Sequence, residues 1–224
     1  MSKIKDAFSQ VGFPYNIPNV GRDDLPEFFN EMGYKVGVEI GVFKGEFSET
    51  IAKTFKGDLY SVDPWSIYKD YGNPRGLKRM DEQFKMTEER LRPHKNAHII
   101  RATSMEALNY FGDESIDFVY IDGNHQFAYV AEDIYHWAIK VKQGGVITGH
   151  DYAHYKSNSI CGGCHAKDVI EAYVKSYYLP GFHVLGCRND KCQKHAENGV
   201  EKRDQYRSWL LMKNYATPQH KPKN

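Results

Sequence analysis

The chain has 224 residues, 41% of them hydrophobic, which suits one α/β domain with decorations. Its 30 basic and 29 acidic side chains leave a net charge of +1, which argues against a nucleic-acid partner held by bulk electrostatics. The apolar runs are strand-sized, as at 118–121, so none spans a bilayer, and the first residues lack the apolar segment of a signal peptide; a cytoplasmic protein is expected. In chain order, residues 1–33 read as an N-terminal helical cap, with a helix over 4–11, a Pro-containing loop and a second helix over 24–32. Residues 34–40 are a short buried strand, 41–45 a turn, and 46–55 alternates at helical spacing. A strand over 59–62 ends at Asp63, a loop fills 64–79, and 81–91 is a charged surface helix. Strand 97–101, helix 105–111, strand 116–121 and helix 128–141 follow, then a Gly144–Gly145 turn into strand 146–148. A Cys-rich loop leads to helix 167–177 and to two last strands at 182–186 and 208–212, with a frayed tail over 217–224.

Strands and helices thus alternate from residue 34 to 177, the pattern of a doubly wound, mostly parallel sheet. The last two strands have no helix between them and are expected to pair antiparallel at one edge. Ligands in such sheets bind beyond the carboxyl ends of the strands, so the residues there are the candidates.

Four strand ends carry suggestive chemistry. Glu39-Ile40-Gly41-Val42-Phe43-Lys44-Gly45 makes a tight glycine turn, without the GxGxxG of a dinucleotide site or the GK[ST] of a P-loop. Asp63 stands 22 residues after Gly41, near the separation of about 20 expected for an acid that receives ribose hydroxyls; an Asp that merely opens the turn with Pro64 is an equal reading. After the third strand, in Arg101-Ala102-Thr103-Ser104-Met105, a hydroxyl caps the next helix in the plainer reading and could also touch the adenine or methionine part of a cofactor. Asp122-Gly123-Asn124-His125 and His150-Asp151 end adjacent strands, where carboxylates and imidazoles can bind a divalent ion or move a proton. Capping is the plainer reading of each Asp, and the coincidence of both clusters at one rim favours function.

Taken together, VGVEIGVFKGEFSETIA, LYSVDPW and FVYIDGNHQFAYVAEDIYHWAIKVKQGGVITGHDY resemble the class I S-adenosylmethionine (SAM)-dependent methyltransferases, most nearly the small-molecule group called methyltransferase family 24. The resemblance covers roughly residues 34–152 and implies a Rossmann-like domain, here 34–216, that methylates a sugar or other small hydroxylated metabolite. It implies that Glu39, Gly41 and Gly45 line the methionine side of SAM, that Asp63 holds the ribose, that Ser104 sits near the adenine, and that Asp122 lies beside the sulfonium. Some relatives hold Mg²⁺ at places matched here by Asp122 and Asp151, although His150-Asp151 stands where an Asp-Asp or Asp-Asn pair is common.

The sulfonium is already electrophilic, so the protein must align the acceptor and make its hydroxyl nucleophilic. His125 or His150 could take the proton, with Asp122 beside the sulfonium and the acceptor as the resemblance implies, or an ion on Asp122 and Asp151 could lower the hydroxyl pKa. Cys161, Cys164, Cys187 and Cys192 form two pairs, in insertions at 153–166 and 187–195, that suit a structural zinc, with His165 and His195 as spare ligands. Free thiols, or two disulfides in a surface loop, are the plainer readings, and a cytosolic setting disfavours the disulfides. Such an insertion could shape acceptor specificity or a homo-oligomer contact. Tyr68, Tyr71, Tyr152, Tyr155, Tyr177 and Tyr178 could stack on an acceptor or serve ordinary packing. Two other functions compete: a metal-linked hydroxylase on the same fold, and a zinc-stabilised, non-catalytic binding module. The DPPY/NPPY-type motif of base N-methyltransferases is missing, since IDGN stands at that strand end.

Overall fold

The computed structural model describes residues 2–66, 77–156, 163–186 and 206–215. Its strands are β1 (Tyr15–Ile17), β2 (Val36–Ile40), β3 (Asp58–Val62), β4 (Ala97–Ile100), β5 (Ile116–Ile121), β6 (Val141–Gly149), β7 (His183–Leu185) and β8 (Trp209–Met212). Its α-helices are α1 (Lys3–Ala7), α2 (Leu25–Glu31), α3 (Glu46–Thr54), α4 (Leu77–Leu91), α5 (Ser104–Ala107), α6 (Phe127–Lys140) and α7 (Ala166–Ser176). The strands form one sheet in the order β1-β7-β8-β6-β5-β2-β3-β4. Every pairing is parallel except those of β8 with β6 and β7.

The sheet centre is buried on both faces, and β5 shows why. Its residues alternate in a period of two: Val119 and Ile121 join the core beneath α6 and α7, while Phe118 and Tyr120 join the core beneath α2 and α3. Phe118 stacks on Phe29 with ring centroids 3.7 Å apart. Its ring fills the space above Gly37, where a Cβ would lie 2.0 Å from Phe118 Cζ. At the strand's other end Asp117 accepts the backbone N–H groups of Lys35 (2.7 Å) and Val36 (2.8 Å) and pairs with Lys142 at 2.8 Å. Burial opposes the charge of Asp117, but these donors hold its carboxyl below its ordinary value. Asp117 thus fixes where β2 starts against β5, and so where β2 ends.

The structure departs from the sequence expectations in four places. The N-terminal cap is not wholly helical, because Tyr15–Ile17 forms an edge strand in parallel register with His183–Leu185. Three residues flanked by Pro14 and Pro18 are too few to show a period of two, and their partner is distant in sequence. The last two strands pair antiparallel as expected, but β1 lies outside β7, so the pair does not form the edge itself and β8 is interior. The glycines at 144–145 are an irregularity inside β6, whose register with β5 shifts there, rather than a turn before it. Helix α4 begins inside the stretch expected to be loop. Among the described residues, no helix is long and apolar enough to cross a membrane.

Candidate active site

The carboxyl ends of β2 and β3 build a loop from the backbone outward. Gly41 follows β2 with φ +88°, and a Cβ there would lie 2.2 Å from the carbonyl oxygen of Asp122. Only glycine lets the two strand ends approach this closely. Asp63 then ties the loop down. One of its oxygens accepts the N–H groups of Val42 (2.9 Å) and Phe43 (3.0 Å), and the other accepts that of Trp65 (2.8 Å). The Trp65 indole N–H closes the circuit on the Phe43 carbonyl at 2.8 Å. Burial pushes the Asp63 carboxyl up against these three donors. A carboxylate offers about four acceptor positions, so Asp63 retains room for about one more donor.

Glu39, on β2, is buried beneath this loop. Its carboxyl receives the Ser48 hydroxyl from α3 and, at 3.4 Å, the Ser61 hydroxyl from β3. Burial pushes it up to about 8; the Ser48 bond opposes the rise and the nearby Asp122 charge adds to it. Across the cavity, Thr103 caps α5 and Ser104 does not. The Ser104 hydroxyl bonds to Asp133 of α6 and accepts the Trp137 indole N–H at 2.8 Å. Burial pushes Asp133 up to about 7.

The ends of β5 and β6 bring the acids and imidazoles together as expected. His125 Nε2 lies 3.1 Å from Asp151 Oδ2, and His150 Nδ1 lies 3.4 Å from the same oxygen and 3.9 Å from Asp122 Oδ1. Asp122, His125 and Asp151 each offer a ligand atom within 4.8 Å of the others. Asp151 holds a left-handed backbone, φ +53°, which is strained for a residue with a Cβ and aims its carboxylate between the two rings. Burial pushes Asp122 up to about 6, with Asp151 adding to the rise and His150 opposing it. Burial would lower the His150 imidazolium, but the Asp151 hydrogen bond and the Asp122 charge outweigh it and raise the group. The same pairing holds Asp151 below its ordinary value despite burial.

These strand ends surround a cavity of about 580 Å³, within the range of small-molecule sites. Of the sequence candidates, Glu39, Gly41, Asp63, Ser104, Asp122 and His125 line it, while Gly45, His150 and Asp151 stand behind the wall. Gly45 begins α3 with φ +74°, and His150 keeps a buried Nε2 that has no hydrogen-bond partner among the described residues.

Among the lining residues that sequence reasoning missed are Arg22, Gln83 and Asp133. Asp133 reads as an ordinary polar position of an amphipathic helix. Gln83 is buried, and its Nε2 has no partner among the described residues, which no local pattern announces. Arg22 comes from the N-terminal segment, far from the motifs.

Cys161, Cys187, Cys192 and His195 lie outside the described residues. Cys164 is buried, with its Sγ 3.4 Å from the carbonyl oxygens of Asp151 and Ala153, and burial pushes the thiol up. Tyr152 is buried against Phe182 with its hydroxyl on Glu171, and Tyr177 packs on Tyr173 and Tyr215. Both serve packing. Tyr155 and Tyr178 are exposed, and Tyr68 and Tyr71 lie outside the described residues.

Residues 38–152 match the model of a methyltransferase domain family. The protein R132 of Acanthamoeba polyphaga mimivirus is 29% identical over 154 residues, 67% of this chain and 66% of that protein, so the chain spans just under two thirds of that relative. Among solved structures, the O-methyltransferase from Bacillus cereus in complex with SAH superposes with a TM-score of 0.56 at 15% identity, over 86% of this chain and 80% of that one. An rRNA methylase from Streptococcus thermophilus gives 0.55 at 14% identity, over 85% and 95%. At such identities the likeness is one of fold.

Proposed function

The chain belongs to methyltransferase family 24, and on that premise we propose that its cavity binds SAM and that it methylates a hydroxyl of a small metabolite, with a sugar as the favoured class. One observation carries the reading: acids at the ends of β2, β3 and β5 converge with the glycine loop on a single cavity of ligand size. A cavity walled by Glu39, Asp63, Asp122 and Asp133 suits a ligand that carries a sulfonium and an ammonium. Gly41 lets the ends of β2 and β5 close together at the cavity, and the buried Gln83 amide offers a donor with no partner among the described residues. We assign the remaining acceptor position of Asp63 to a ribose hydroxyl, and the Ser104–Asp133 pair to the adenine side. Glu39 and Asp122 face the methionine side.

When bound, SAM supplies a methyl group that needs no further activation. The chain must therefore hold the acceptor in line and remove its proton. His125 is the favoured base. Asp151 Oδ2 lies 3.1 Å from its Nε2, and a proton held on that nitrogen beside the carboxylate would leave the Nδ1 lone pair for the acceptor proton. His150 is a positioning residue that stands behind the wall and braces Asp151 and Asp122.

The spacing of Asp122, His125 and Asp151 favours a second reading of the same corner. Their mixed nitrogen and oxygen donors fit a divalent ion, which would lower the pKa of the acceptor hydroxyl and occupy His125 as a ligand. Calorimetry with SAM and SAH, followed by transfer of labelled methyl to a panel of sugars before and after dialysis against EDTA, tests both readings. Binding with transfer that survives EDTA supports the His125 base, and loss restored by a divalent ion supports the metal. Tight SAM binding with no transfer to any hydroxyl would favour the hydroxylase alternative. No binding of either nucleoside would leave a non-catalytic module and refute the proposal.

A further inference from the structure

Resting on the reading of the cavity as a SAM site, we propose that Arg22 binds the α-carboxylate at the methionine end of the cofactor and makes the site selective for ligands that carry it.

Arg22 is held in place by its neighbours. It opens the short turn between β1 and α2, where the Asp24 carboxylate accepts the Gly21 N–H at 2.8 Å. Val20 and Leu25 on either side are buried, so the turn is pinned at both ends. From there the side chain reaches the cavity wall. Its guanidinium carbon lies 5.0 Å from the centroid of the Phe47 ring, and Nη1 lies 3.7 Å from Asp122 Oδ2. The edge strand β1 is thus what brings this charge to the end of β5.

The charge is needed there. The methionine end of SAM is a zwitterion, and the acids Glu39 and Asp122 can receive only its ammonium. With no cation beside them, those same acids would repel the carboxylate. Among the described residues lining the cavity, the Arg and Lys side chains are Arg22 and Lys44. The Lys44 ammonium lies 5.1 Å from the ring centroid of Phe43, which is exposed. Arg22 instead stands at the corner shared by Glu39, Phe47 and Asp122. A guanidinium also matches a carboxylate with two parallel donors, which an ammonium does not.

The test compares SAM with decarboxylated SAM, which keeps the adenosine, the sulfonium and the amine and lacks only the carboxylate. Dissociation constants are measured by calorimetry for the wild type, Arg22→Met and Arg22→Lys. Methionine keeps an unbranched stem to cover Phe47. The wild type should prefer SAM over decarboxylated SAM by about 10- to 100-fold, the scale of a charge-assisted hydrogen-bonded pair. Arg22→Met should lose that preference by weakening SAM alone, with decarboxylated SAM bound as well as before or better. Arg22→Lys should recover part of it. Unchanged decarboxylated-SAM binding also shows that the variant is folded. If Arg22→Met weakens both ligands equally, or neither, the assignment of Arg22 is overturned while the SAM site stands. If the wild type binds neither ligand, the reading of the cavity falls and this assignment falls with it.

Discussion

Replacing Glu39 by Gln separates what this carboxyl does for the fold from what it does for the ligand. Glu39 is buried, and burial holds its titration at about 8 instead of 4.5. The unfolded chain gives up this proton near the ordinary value, and the folded chain keeps it until about 8. Between those values the unfolded state binds fewer protons, so stability falls as pH rises and the loss is complete above about 8. A displacement of that size corresponds to roughly 5 kcal/mol, and relaxation of the interior around the charge reduces it to roughly 2–4 kcal/mol. Gln has the same shape, bears no charge, and can still bond to the Ser48 and Ser61 hydroxyls. In the ligand-free protein, E39Q should therefore leave Tm nearly unchanged at pH 5 and raise it by about 5–15 °C at pH 8.5. SAM affinity should fall, because the ammonium loses its partner. Thermal unfolding across this pH range, paired with calorimetry, reads both effects. A Tm shift equal at the two pH values, or a less stable variant at pH 8.5, would refute the reasoning. It would mean that Glu39 acts through its shape and hydrogen bonds, and not through a buried charge that the ligand later compensates.

His125→Asn should lower kcat by about 10²- to 10⁴-fold, the range of a lost general base, while the Kd for SAM stays within about twofold. Single-turnover methyl transfer and calorimetry measure the two, and an unchanged kcat would remove His125 from the mechanism. Gly41→Ala places a Cβ 2.2 Å from the Asp122 carbonyl at a positive φ, which must push the ends of β2 and β5 apart. It should cost roughly 2–4 kcal/mol of stability, visible as a lower denaturation midpoint, and abolish SAM binding.

The architecture was legible because its signals are local. Alternating apolar segments such as 116–121, glycines at 41 and 45, and acids directly after strands report conformation within a few residues, and these placed Glu39, Asp63, Asp122 and His125 at one rim. Where the chain closes on itself over long distances, the sequence was silent. Strand β1 pairs with β7 across most of the chain, and β8, expected beside β7, pairs with β6 as well. Neither pairing has a local pattern to announce it, because strand order is set by which faces remain to be buried once the rest of the sheet has formed.

The site divides in the same way. Sequence identified the strand-end residues and their chemical types. The tertiary structure decided which of them reach the cavity, setting His125 on the wall and His150 behind it. It also gave Asp63 a role in holding the glycine loop and paired Ser104 with Asp133. Only the fold brought Arg22 from the N-terminal segment to the acids at the cavity corner. A charge's neighbours depend on packing in three dimensions, and spacing along the chain does not contain them.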